Sequence, residues 1–139
     1  MGVLYSAEMH ESDGSGQASE LTPDPGHESD VVEVNYDNCV ATVTLNRPDV
    51  LNAIDSDVVA ALIDIERDIA EHSDVHVVVL RGAGRVFSAG ADLHYIDSVY
   101  TDPQASRRYL YALRDACLGL EHLRQPVIAA VHGMVLAGG

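Results

Sequence analysis

The chain has 139 residues and carries 22 acidic against 8 basic side chains, a formal net charge of -14. That length allows one modest domain with its own core. The negative charge argues against a nucleic-acid partner and against an anionic membrane surface, because both need cationic contacts. All eight basic residues are arginine. Acidity without lysine favours a protein adapted to high salt, with an ordinary acidic cytoplasmic protein as the alternative.

Cysteine and histidine spacing predicts a cytoplasmic protein without a metal site. Cys39 and Cys117 lie far apart and match no metal or redox spacing, so we expect reduced, buried thiols. His72 and His76 straddle a predicted helix-to-strand boundary and would not share a helix face, which argues against zinc. The N-terminus lacks the cationic and apolar segments of a secretory signal. No apolar run approaches the ~18 residues of a membrane helix.

In chain order, residues 1–30 are acidic and rich in Ser, Gly and Pro, without any arginine. Such a composition cannot bury enough apolar surface to offset the entropy of ordering, and it predicts a disordered leader. The domain is expected over residues 31–139. Its first two segments, 31–36 and 39–45, flank an Asp37-Asn38 turn signal and predict a β-hairpin.

Helices and strands alternate in the rest of the chain. A helix is predicted to begin at Asp55, whose side chain can cap it, and to bury one apolar face from Val58 to Ile69. A strand over residues 75–80 should be covered on both faces, because it is a nearly continuous apolar run. A second helix over residues 104–123 and a buried strand over residues 127–131 follow. This order predicts an α/β fold with crossover helices.

A dinucleotide-binding motif and a serine-nucleophile motif are both incomplete in this sequence. Gly82 and Gly84 lack the third glycine of a dinucleotide fingerprint, because position 87 is Phe. Ser88 lacks the glycine two residues earlier that a nucleophile elbow needs. His132 is interpreted as a satisfied polar residue near a turn.

Two turns of small residues follow strand-like runs. The first is segment 86–94, Val-Phe-Ser-Ala-Gly-Ala-Asp-Leu-His, and the second is segment 132–139, His-Gly-Met-Val-Leu-Ala-Gly-Gly. Such turns can present bare backbone N–H groups, and two donors converging on one oxygen form an oxyanion hole. Alone, the first is typical of an ordinary glycine turn. Its combination with the second turn and with segment 46–53 favours a site.

Three segments in this order resemble the crotonase superfamily, the enoyl-CoA hydratase/isomerase group. They are Asn-Arg-Pro…Leu-Asn-Ala at 46–53, Phe-Ser-Ala-Gly-Ala-Asp-Leu at 87–93 and Ala-Ala-Val-His-Gly…Ala-Gly-Gly at 129–139. The resembling stretch runs from about Val31 to Gly139. The resemblance implies a crotonase-like ββα spiral core, here truncated, that acts on an acyl-CoA thioester. It implies no separate cofactor, because coenzyme A is part of the substrate.

The resemblance also assigns the residues that would contact the acyl thioester. By position, the two oxyanion-hole N–H groups belong to Ala91 and Gly138. The acyl and pantetheine path would be lined by Ala89, Asp92 and Leu93.

The nucleotide end of coenzyme A falls to other residues. The loop containing Val50, Asn52 and Ala53 resembles the part that cradles adenine, mainly through backbone groups. Arg47 is either a phosphate partner or a structural surface arginine. His94 stands where many relatives carry a phosphate-facing lysine, and a neutral histidine would contact phosphate more weakly.

The reaction type depends on carboxylates. In hydratases of this group, one glutamate lies shortly after the second glycine turn and another about twenty residues further on, where they activate water and deliver a proton. Neither region falls within the 139 residues, so the chain is interpreted as a fragment whose last strand exposes apolar surface. The resemblance implies that the parent is an enoyl-CoA hydratase, assembled as a trimer or hexamer. The alternatives are an isomerase or thioester hydrolase of the same superfamily, a catalytically inactive remnant, or an unrelated α/β domain.

Overall fold

The computed structural model describes residues 30–139, in which one four-stranded sheet carries the helices. Its strands lie side by side in chain order as β1 (Val32–Asp37), β2 (Val40–Leu45), β3 (Val77–Gly82) and β4 (Val127–Ala129). β1 and β2 form the predicted antiparallel hairpin, while β3 and β4 each run parallel to the strand before them. The predicted disordered leader, residues 1–30, lies outside the described residues except for Asp30.

Helices connect the strands. They are a 3-10 turn at Pro48–Val50, α1 (Ser56–Glu71), α2 (Leu93–Val99) and α3 (Pro103–His122). The predicted start of α1 is confirmed, because Asp55 Oδ1 accepts the backbone N–H groups of Asp57 and Val58 at 3.0 Å each. α1 and α3 pack together, and the side chains between them and the sheet form the core. No helix within residues 30–139 combines the length and apolarity needed to cross a membrane.

The parallel strands differ from their prediction in position and burial. β3 begins at Val77 rather than Val75, because Val75 N–H still bonds the carbonyl of His72 and completes the turn out of α1. Val78 is fully buried, whereas Val77 and Val79 on the opposite face are only half-buried. The prediction that both faces of this strand are covered was therefore wrong.

The last strand is shorter than predicted and is not buried. β4 ends at Ala129, and Ile128 is 54% exposed. It pairs with β3 on one side only, and nothing among residues 30–139 covers Ile128. The interpretation of exposed apolar surface along this strand is confirmed.

The sequence-based predictions failed for two local features. α2 was not predicted, because a seven-residue helix gives almost no periodic pattern. Its start depends on Asp92, whose Oδ1 accepts the N–H groups of His94 and Tyr95. The expectation of buried thiols was also wrong: Cys39 lies in the hairpin turn and Cys117 on α3, and both are exposed.

A buried carboxyl lies in the contact between α1 and α3. Glu66 is 9% exposed, and among the described residues its Oε1 has no hydrogen-bond partner. It fits against Gly119, where any side chain would collide with the carboxyl group. Burial raises the pKa of Glu66 to about 7, although the positive charge of Arg67 lowers it.

Glu66→Gln should therefore stabilise the fold in a pH-dependent way. The folded state binds the Glu66 proton more tightly than the unfolded state, so the penalty grows as the pH rises from 4.5 to about 7 and then levels off. We expect the variant to gain about 1–2 kcal/mol of unfolding free energy at pH 8 and almost none at pH 4.5. Urea unfolding at both pH values measures this. The exposed Glu71→Gln on the same helix is the control, with a change below about 0.5 kcal/mol. Equal effects of Glu66→Gln at both pH values would contradict the burial argument.

Candidate functional site

A tight loop between β2 and α1 forms the first part of the candidate site. Leu51 and Asn52 adopt left-handed backbone conformations, with φ of 58° and 53°. Asn52 N–H donates to the carbonyl of Arg47 at 2.8 Å, and Asn52 Oδ1 accepts the Arg47 N–H at 2.9 Å. Asn52 is 1% exposed, so its side chain belongs to the interior.

The same side chain joins this loop to the glycine-rich turn after β3. Asn52 Nδ2 lies 2.9 Å from the carbonyl oxygens of Ala83 and Val86 and 3.1 Å from that of Phe87. Its two N–H donors are thus shared among three acceptors. Buried carbonyls need such partners, so the amide fixes the loop and the turn relative to each other.

The next residue pair fixes the first small-residue turn. Ile54 N–H donates to the carbonyl of Gly90 at 2.8 Å, and Asp92 N–H donates to the carbonyl of Ile54 at 2.8 Å. These two bonds bracket Ala91. The C=O and N–H of a trans peptide point in opposite directions, so the Gly90–Ala91 peptide directs the Ala91 N–H away from Ile54. That N–H has no acceptor among residues 30–139.

Ser88 links the first turn to the second. Its N–H donates to the carbonyl of Met134 at 3.3 Å, and its carbonyl accepts the Leu136 N–H at 3.2 Å. The hydroxyl donates to the carbonyl of Asn52 at 2.8 Å and accepts the Gly90 N–H at 3.0 Å. Ser88 is completely buried, so it is a structural residue rather than a nucleophile.

The two turns are in direct contact. A side chain on Gly90 would collide with the carbonyl of Leu136. Ala137 has a φ of 45°, and Gly139 N–H closes the second turn on the Leu136 carbonyl at 2.8 Å. The Gly138 N–H has no acceptor among the described residues. A Cβ on Gly138 would meet only a Leu113 methyl, at 3.9 Å, so this backbone is open to a ligand.

One arginine holds the helix starts around the site. Arg47 Nη1 lies 2.9 Å from Asp55 Oδ2, 3.4 Å from Asp92 Oδ2 and 2.7 Å from the Ala53 carbonyl. The charged side chains are 11–20% exposed. Nη1 of Arg47 therefore makes structural contacts, and the phosphate contact, the other alternative, stays a prediction. Among residues 30–139, no three His, Cys, Asp or Glu side chains are grouped to hold a metal ion.

Comparison with known proteins decides the family. A family model described as enoyl-CoA hydratase/isomerase matches residues 35–139. The chain belongs to the enoyl-CoA hydratase/isomerase family. It is 42% identical over 106 residues to a probable enoyl-CoA hydratase of Mycobacterium bovis, covering 72% of this chain and 37% of that protein.

Two further relatives of this hydratase/isomerase chain extend the comparison. A peroxisomal dienoyl-CoA isomerase of Arabidopsis thaliana is 31% identical over 120 residues, covering 79% of this chain and 43% of that protein. The crystal structure of an enoyl-CoA hydratase from Bacillus anthracis has a TM-score of 0.74 and 33% identity, covering 78% of this chain and 42% of that one. The predicted crotonase-like α/β fold is confirmed. The chain spans 37–43% of the length of these relatives.

The remaining residues that were predicted to contact coenzyme A differ in their solvent exposure. Ala53 is buried, whereas Val50 is 44% and Leu93 is 77% exposed. Ala89 is half-buried, and its N–H donates to the Leu51 carbonyl at 2.9 Å. His94 is exposed on the first turn of α2.

Sequence reasoning missed one residue that belongs to the site of this hydratase/isomerase chain. Tyr109 lies on α3, and its hydroxyl donates to the Ile54 carbonyl at 2.6 Å. Burial, with Asp55 and Asp92 nearby, raises the pKa of Tyr109 to about 12. The hydroxyl is therefore a permanent donor near neutral pH. Its partner lies 55 positions away, and no local pattern marks such a pair.

Asn52→Ala should destabilise the fold strongly. The change leaves several buried carbonyls short of donors and places alanine at a positive φ, for an expected loss of about 2–4 kcal/mol in urea unfolding. Asn38→Ala is the matched control, because Asn38 also has a positive φ but is exposed. The control should lose about 1 kcal/mol or less. Similar losses for both would mean that the buried bonds contribute little.

Proposed function

We propose that this chain supplies the thioester-binding part of an enoyl-CoA hydratase, with the Ala91 and Gly138 N–H groups forming its oxyanion hole. The observation that carries the proposal is that both N–H groups lack an acceptor within residues 30–139, on turns that touch each other. Both N–H groups can be reached from outside, because Ala91 is half-buried and Gly138 is exposed. A ligand oxygen is the natural partner.

The proposed chemistry places negative charge on that oxygen. When the oxygen of water bonds Cβ of a 2,3-unsaturated thioester and water gives one proton to a catalytic carboxylate, the C=C electron pair moves through Cα to the thioester carbonyl oxygen and forms an enolate. Protonation at Cα then restores the thioester. Each donor aimed at the developing charge is worth about 10²–10³-fold in rate.

The rest of the thioester would extend along neighbouring residues. Ala89, Asp92 and Leu93 are proposed to line the acyl and pantetheine path, and the exposed Leu93 offers apolar contact there. Val50 and the backbone around it are proposed to hold the adenine. His94, exposed beside them on α2, remains the proposed phosphate contact, since Arg47 Nη1 is engaged by carboxylates.

The buried amide loop limits the role of side chains at the adenine end. The Asn52 side chain is fully used by internal bonds, and the Ala53 carbonyl accepts Arg47 Nη1. Contact with coenzyme A is therefore proposed to come from backbone edges of this loop rather than from the Asn52 amide.

Isomerisation is the second candidate reaction, favoured by the dienoyl-CoA isomerase relative of Arabidopsis thaliana. Both reactions pass through a thioester enolate and differ in the carboxylates that move protons. Asp92, next to Ala91 in the chain, is engaged in the α2 cap and the Arg47 ion pair. Reading the coding region past the Gly139 codon decides between them: two glutamates, about twenty residues apart, support a hydratase, and a single one supports an isomerase. A stop codon there supports an inactive remnant.

The chain should bind acetoacetyl-CoA as its enolate. This β-keto thioester has an acidic Cα proton, and its enolate absorbs more strongly in the near ultraviolet, so no catalytic carboxylate is needed. We expect the bound ligand to ionise at a pH at least about 1 unit below the free ligand. Gly138→Pro, which removes one N–H, should abolish most of this shift while leaving the affinity for free CoA within about two-fold. Binding of acetoacetyl-CoA with an unshifted spectrum would refute the oxyanion hole.

Salt adaptation is a separate proposal, supported by the net charge of -14 and the absence of lysine. At ~1 M salt the Debye length falls to about 3 Å, which screens repulsion between exposed carboxylates. We expect the chain to unfold at low ionic strength and to recover its circular dichroism spectrum in about 1 M KCl. Equal stability in both buffers would contradict it. A cytoplasmic location and a trimeric or hexameric parent stay predictions of the sequence.

A further inference from the structure

We propose that Tyr109 is a positioning residue for the Ala91 amide and acts through the peptide group of Ile54. The inference rests on the proposed oxyanion role of Ala91. Tyr109 does not touch the thioester in this proposal. It positions the Ile54 peptide group, which in turn positions the Ala91 N–H.

The Ile54 carbonyl is the junction of the two contacts. It accepts the Asp92 N–H at 2.8 Å and the Tyr109 hydroxyl at 2.6 Å, so two donors hold it from two elements. A carbonyl oxygen has two lone pairs, and both are used here. The Ile54 N–H, on the other side of the residue, holds the Gly90 carbonyl and thereby the plane that carries the Ala91 N–H.

Tyr109 is itself held firmly. It is 4% exposed, and its ring meets Tyr95 edge-on with centroids 4.9 Å apart. α3 in turn packs on α1, so the hydroxyl is anchored to the core rather than to a loop. The Tyr109 hydroxyl stays protonated near neutral pH, as that of any tyrosine does, and burial raises its pKa further. The turn that presents the Ala91 N–H is thus tied to α3 and, through it, to α1.

This tether explains how a short turn can keep an unpaired donor in one direction. Without the hydroxyl, the Ile54 carbonyl keeps the Asp92 bond, so the fold survives. Ile54, which bonds Gly90 and Asp92 on either side of Ala91, is then held less firmly. The Ala91 N–H therefore samples a wider range of directions. A small displacement of a donor weakens charge stabilisation before it affects stability.

Tyr109→Phe tests the proposal, because it removes one oxygen and keeps the ring that packs on Tyr95. With acetoacetyl-CoA as the probe, we expect the enolate form to bind about 3- to 10-fold more weakly, and free CoA to bind within about two-fold of the wild type. Tyr111→Phe is the matched control, because Tyr111 is exposed on the same helix and its ring lies against Arg114. It should leave both affinities unchanged.

The outcomes separate the two proposals. If the wild-type chain does not shift the acetoacetyl-CoA spectrum, the oxyanion hole fails and the role of Tyr109 fails with it. If the wild type shifts the spectrum and Tyr109→Phe shifts it equally, only the role of Tyr109 is overturned. A selective loss of enolate binding in Tyr109→Phe supports it.

A measurement on the wild type keeps the proposal testable if Tyr109→Phe does not fold. The Asp92 N–H should exchange with solvent as slowly as the core amides of α3, because its acceptor is anchored to that helix. Exchange of Asp92 at the rate of an exposed loop, at least about 100-fold faster than the α3 amides, would overturn the proposal.

Discussion

The hydrogen bonds between Ile54 and the turn from Gly90 to Asp92 are the constraint on which the rest of the site depends. A buried amide ordinarily finds a partner, because an unmade bond costs about 1–3 kcal/mol. An amide that is to receive a ligand must stay unpaired, so its direction has to be set by its neighbours. Ile54 does this by bonding the carbonyl before Ala91 and the N–H after it. Because Asp55 follows Ile54 and caps α1, the turn and the helix start share one anchor.

The electrostatic arrangement around this anchor repeats one pattern twice. Asp55 and Asp92 each use Oδ1 to cap a helix and Oδ2 to meet Arg47. The two carboxylates are thereby oriented from both ends, and the single guanidinium offsets one of their two negative charges where water is partly excluded. Removing the guanidinium would leave two partly shielded carboxylates facing each other without a counter-charge.

The sequence predicted the features that are set by neighbouring residues. The hairpin and the start of α1 depend on turn and capping residues a few positions apart, and they were found where expected. The shift of β3 could not be read in this way, because strand limits follow from pairing with β2. The exposure of Ile128 likewise depends on what packs above it rather than on its own hydropathy.

The same distinction, between features set by neighbouring residues and contacts between distant ones, applies to the candidate site. The small-residue turns were identified from their residues, since bare backbone near a ligand requires small side chains, and the loop at 46–53 was identified from its resemblance to the crotonase superfamily. The bonds that hold them were not, because Asn52 to Val86, Arg47 to Asp92 and Tyr109 to Ile54 each join distant positions.

The contact between Gly90 and the Leu136 carbonyl restricts how this site can diverge. Neither turn can accept a larger residue at that point without displacing the other, so the two segments can change there only together. Variation in ligand shape is directed instead to positions whose side chains already point to solvent. Leu93 and Val50 are such positions, and both can be exchanged without disturbing a buried hydrogen bond. If the proposed site is correct, changes in ligand preference would accumulate there, around a backbone centre that stays fixed.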